Sequence, residues 1–74
     1  MKPDLTKKAI AANIEAMRQM LMDAVLRASE AFQAIQAGEQ NQAIGAMFDL
    51  DQDLEDALAL YRAAVALHRT GRAS

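Results

Sequence analysis

An all-α fold, an antiparallel hairpin of two long helices, follows from three features of this chain. Small and apolar residues recur in alternating steps of four and three along two stretches. The first is Ile10, Ile14, Met17, Leu21, Ala24, Ala28, Ala31 and Ile35; the second is Ala43, Met47, Leu50, Leu54, Ala57, Tyr61, Ala64 and His68. An apolar period of about 3.5 residues held over several heptads belongs to packed helices and to no strand. Gly38 falls between the two stretches, where a chain reversal is needed. Alanine, leucine and methionine dominate the apolar set while aromatic residues make up only 4%, and unbranched side chains lose little rotamer freedom on a helix.

Each element can be placed in order. Met1 to Leu5, with the only proline, Pro3, reads as a lead-in, and Asp4 or Thr6 can cap the first helix by accepting a free amide hydrogen. That helix is expected over about residues 6–36, with Lys7 and Lys8 poorly placed at the positive end of its dipole. Gly38 is a natural left-handed stop, so the turn falls at about 37–40. The second helix is expected over about 41–69, favoured at its start by Glu39 and at its end by His68 and Arg69, with Gly71 as its terminator. Folded about Glu39, the two apolar series meet as Ile10/His68, Ile14/Ala64, Met17/Tyr61, Leu21/Ala57, Ala24/Leu54, Ala28/Leu50, Ala31/Met47 and Ile35/Ala43. Large side chains mostly face small ones, which is how a tight core is filled.

One antiparallel neighbour cannot bury all the apolar surface. Leu58, Leu60, Val65 and Leu67 flank the second series, while Met20, Val25 and Phe32 flank the first, with Met22 and Leu26 further out. These nine are the candidate interface residues. Chains this short seldom bury enough surface to be stable alone without staples, and there is no cysteine to make one. Two hairpins pairing into a four-helix bundle cover both flanks with a single isologous contact; another protein's helix in the same groove is the competing occupant.

Composition narrows the function. Without cysteine and with one histidine, neither a thiolate nor an all-histidine metal site can be built, and no cofactor is indicated. The net charge of -2 is the wrong sign for a general nucleic-acid binder. No apolar run approaches the roughly 20 residues needed to cross a bilayer, and the start lacks the pattern of a signal peptide, so a cytoplasmic protein with no membrane contact is expected. His68 has no nucleophile near it in the folded layers, the inward Glu-x-x-His spacing of di-iron bundles does not occur, and no enzymatic activity is expected.

Asp49, Asp51, Asp53, Glu55 and Asp56 alternate like the opening of a calcium loop, but Leu54 and Leu60 stand where that loop needs glycine and a bidentate glutamate. What remains is an acidic patch able to attract a basic partner, with Arg27 level with Asp51 across the hairpin. Gly45, inside the second helix, marks either a tolerated surface position or a close approach of another backbone.

With Glu39-Gln40 and Leu60-Tyr61-Arg62, the hairpin layout resembles the ROP family of plasmid-encoded, RNA-binding hairpin dimers. The resemblance implies the architecture. It does not carry the RNA-binding face, because Ala16, Met20, Ala24 and Ala31 occupy the positions where that family presents its RNA-contacting side chains. Asp56 to Ala64 is also similar to the second helix of a tetratricopeptide repeat, yet the expected helices are about twice too long and no 34-residue period exists. The expected function is therefore that of a non-enzymatic interaction or regulatory protein acting as a small homodimeric bundle. The alternatives are an RNA-binding dimer using Lys7, Lys8, Arg18 and Arg27, and a hairpin co-chaperone or structural subunit that folds on a larger partner.

Overall fold

In a computed structural model, which describes residues 3–73 and the side chains of 5–71, the chain forms two α-helices, α1 (Pro3–Gln36) and α2 (Gln40–Ala73). Met1, Lys2 and Ser74 lie outside the described residues. Both helices are longer than the sequence suggested. α1 begins at Pro3, a residue whose fixed φ and missing N–H suit the first helical position, so Asp4 and Thr6 lie inside the helix. α2 continues through Gly71, which is not its terminator.

The turn follows its local chemistry. Gly38 has φ of +81°, the left-handed conformation that costs glycine no Cβ clash. The Glu39 amide donates to the Ala34 carbonyl at 2.9 Å and the Gly38 amide to the Ile35 carbonyl at 3.1 Å. This pair of bonds is the Schellman closure of a helix end. Ala43 then donates to the carbonyl of Glu39 at 3.0 Å, opening α2.

The axial register agrees with the sequence pairing. Ile10 and His68, Ile14 and Ala64, and Met17 and Tyr61 all line one hollow between the helices. Arg27 bonds Asp53 at 2.8 Å and Asp49 at 3.4 Å, thus straddling Asp51. The helical roll differs. The columns carrying Ile10, Met17, Ala24, Ala31 and Ala43, Leu50, Ala57, Ala64 do lie in the seam, but their companions there are Asn13, Met20, Arg27, Ala34 and Ala46, Asp53, Leu60, Leu67, all buried or half-buried. Ile14, Leu21, Ala28 and Ile35, with Met47, Leu54, Tyr61 and His68, are exposed. Each helix is turned so that its second apolar column leaves the seam.

Among the described residues alanine makes up the whole buried core: Ala24, Ala31, Ala34, Ala43 and Ala57, at 4–8% exposure. No large side chain among the described residues is fully buried. Polar groups within the seam are matched. Asn13 donates to the Ala9 carbonyl at 3.0 Å, Arg27 pairs as above, and no buried side-chain nitrogen or oxygen among the described residues lacks a partner. The result is a rod of 55 × 14 × 11 Å with a radius of gyration of 16.7 Å, against about 11 Å for a compact domain of this length.

Candidate interaction face

The displaced columns stand side by side on one broad surface. In an antiparallel pair, columns equivalent by the helical repeat point to the same side of the plane holding both axes. Ile14, Leu21, Ile35, Met47, Leu54 and Tyr61 are between 42% and 55% exposed, so their inner edges touch the seam while their tips meet solvent. One hollow on this face runs between the helices from Ile10 and Ile14 to Tyr61, Val65 and His68. A second continues along α1 over Ile14, Met17, Leu21, Met22 and Val25, with Arg18 at its rim. His68 is an exposed wall of the first hollow.

The opposite surface near the turn is polar, a hollow lined by Glu30, Gln33, Glu39, Gln42, Gly45 and Asp49 with alanines beneath. Gly45 opens onto space as a tolerated surface position; a Cβ there would meet nothing within 4 Å, so α1 makes no close approach to it. The close approach is at Gly71, where an added Cβ would lie 3.0 Å from Thr6 Cγ2.

The candidate interface residues divide in two. Met22, Val25, Leu26, Phe32 and Leu58 are exposed, while Met20, Leu60 and Leu67 are half-buried in the hairpin seam and Val65 is half-buried in the hollow beside Tyr61. The large side chains assigned by sequence to the hairpin core supply the rest of the face. Ile44, 43% exposed, and Phe48, 74% exposed, belong neither to the two apolar series nor to the nine flanking residues; their signal in the sequence is the unbroken apolar character of 46–48 beside Ile44.

The acidic run does not form one patch. Asp49, Asp53 and Asp56, at helical spacing, share the seam's polar side; Arg27 engages the first two and Gln52 donates to Asp56 at 2.9 Å. Asp51 and Glu55 point to the other flank and are exposed. Arg27, held by Asp53 and Asp49, binds its proton more tightly than a free guanidinium. On α1, Arg18 donates to both carboxylate oxygens of Glu15, at 2.9 and 2.7 Å. These bonds, and one from Gln19, lower the Glu15 carboxyl from 4.5 to about 2.

Among the described residues no group of three or more His, Cys, Asp or Glu could hold a metal ion, and no helix is long and apolar enough to cross a membrane. Comparison with protein families, with curated proteins and with solved structures finds no match for this chain.

Proposed function

We propose that this chain is a non-enzymatic interaction protein that works as a homodimer, two hairpins closing a four-helix bundle through their open apolar faces. The observation that carries the reading is the roll of the helices. In a four-helix bundle each helix has two neighbours, and its strongest apolar stripe points between them at the bundle axis. An isolated hairpin would turn that stripe straight at its one neighbour. Here the seam takes one column of the stripe plus a column that includes Asn13, Arg27 and Asp53, leaving Leu21, Leu54 and Tyr61 aimed to one side.

Surface area supports the same reading. The chain exposes 5658 Å², whereas a compact protein of 8.0 kDa exposes about 4,450 Å². Two such chains merged into one compact body would expose about 7,400 Å². Reaching that value buries about 3,900 Å² in total, inside the 2,000 to 5,000 Å² of obligate homodimers. Nucleic-acid binding gains less support, because two of the four α1 cations it would use, Arg18 and Arg27, are paired within the chain.

A concentration series tests the reading. Stability shared between two chains makes the thermal midpoint rise with protein concentration. The midpoint is expected to climb over a hundredfold range, and Leu54→Glu, which puts a charge on the open face at a position 49% exposed, is expected to abolish the climb. A midpoint independent of concentration in the unmodified chain would refute the dimer.

A further inference from the structure

The charges bordering the open face select how the second copy lies on it. On the homodimer reading above, two arrangements bring the faces together: turns at the same end, with α1 over α2 of the second copy, or turns at opposite ends, with each helix over its own counterpart. Charged residues flanking an apolar stripe set the orientation of paired helices. On α2 these are acids in the first half, Asp51 and Glu55, and bases in the second, Arg62 and Arg69; all four are exposed. Arg62 and Arg69 lie beside Tyr61 and Val65 at the edge of the face. Asp51, one heptad before Leu58, lies on the same flank.

We infer that the turns lie at opposite ends, so that α2 packs antiparallel on α2 of the second copy. The midpoint of α2 (Gln40–Ala73) falls between Asp56 and Ala57, and Asp51 and Arg62 stand equally far on either side of it. An end-to-end overlay therefore sets Asp51 of each copy level with Arg62 of the other, forming two equivalent ion pairs. The same-end arrangement keeps the hairpin's own register, in which Ile10 is level with His68 and Met17 with Tyr61. It would bring Lys8 to Arg69, would set Arg62 at the Glu15–Arg18 pair, and would give Asp51 no unengaged cation, since Arg27 at its level is held by Asp53 and Asp49 in the seam. The opposite-end arrangement alone pairs Asp51 with Arg62; in the same-end one Lys8 faces Arg69, and Arg62 meets a glutamate already held by Arg18.

The chain has no cysteine, so a spin label can be placed at one position. Gln40→Cys puts it at the exposed start of α2, beside the turn. In the inferred dimer the two labels are separated by nearly the full 55 Å of the rod, roughly 50 Å between label sites. A separation under about 25 Å in a sample that sediments as a dimer overturns the arrangement alone, because same-end turns lie within two or three helix spacings of 8–10 Å. A labelled chain that sediments as a monomer overturns the homodimer reading itself, and this inference with it. Charge reversal gives an independent readout. Arg62→Glu is expected to weaken dimerisation about tenfold at low salt, with Asp51→Arg in the same chain restoring it. Dimerisation that Arg62→Glu leaves unchanged or tightens contradicts the inference.

Discussion

A leucine at Ala57 tests the alanine seam directly. Ala57 is 6% exposed and lies at mid-length on α2, where the two helix backbones are held together by small side chains. Leucine adds three carbons to a position with no free surface to receive them. Overpacking of this kind costs about 1 to 3 kcal/mol, out of a total of roughly 4 to 11 kcal/mol for a chain of this length. At 4 to 8 °C per kcal/mol for a small domain, a loss of about 2 kcal/mol lowers the thermal midpoint by about 8 to 16 °C. Ala59→Leu is the matched control, since Ala59 is exposed two residues away and its substitution should stay within about 0.5 kcal/mol. Far-UV circular dichroism melts of the two variants and the parent at equal concentration make the comparison. A neutral Ala57→Leu, or an Ala59→Leu that is the more damaging, would refute the packing described.

Two further outcomes follow from local geometry. Gly45→Ala is expected to stabilise by up to about 1 kcal/mol, since alanine outranks glycine in a helix interior and the site is open; thermal melts read it. Gly71→Ala should gain less, because its Cβ would press on Thr6 Cγ2, and Thr6→Ser in the same chain should recover the difference. Glu15 should titrate near 2 by NMR, and Arg18→Ala should return it to the ordinary carboxylate range. Its folded value is depressed, so its contribution to stability is complete above 4.5 and is lost as pH falls from there through about 2. An Arg18→Ala chain whose Glu15 still titrates near 2 would contradict the assigned cause.

Much of this fold is legible in the residues. The 4-3 stepping marks both helices, Gly38 marks the stop, and layer pairing places Ile10 beside His68 and Arg27 at Asp51, which the straddling ion pairs match to within half a turn. Helix roll is another matter. A sequence shows where the apolar stripe lies but not how many neighbours it must satisfy, so a two-helix reading points the stripe at the one partner it can see. Asn13, Arg27 and Asp53 look like solvent-facing residues, yet each enters the seam, Asn13 bonded to Ala9 of its own helix and Arg27 to Asp53 across the hairpin. The glycines divide for a similar reason. Gly45 and Gly71 are both helical, and the position of Thr6 on the other helix makes only the second a close approach. Pro3 and the chain beyond Arg69 are helical although the expected caps Asp4, Thr6 and Gly71 lie inside the helices, so cap-type residues alone do not set the ends.

Sedimentation equilibrium of the unmodified chain at micromolar concentration bears most directly on the central claim, that the open apolar face is covered by a second copy. The account predicts a single species of twice the 8.0 kDa chain mass. A well-folded helical species at 8.0 kDa would contradict it, because the face carrying Leu21, Leu54 and Tyr61 would then remain in water with no loss of structure.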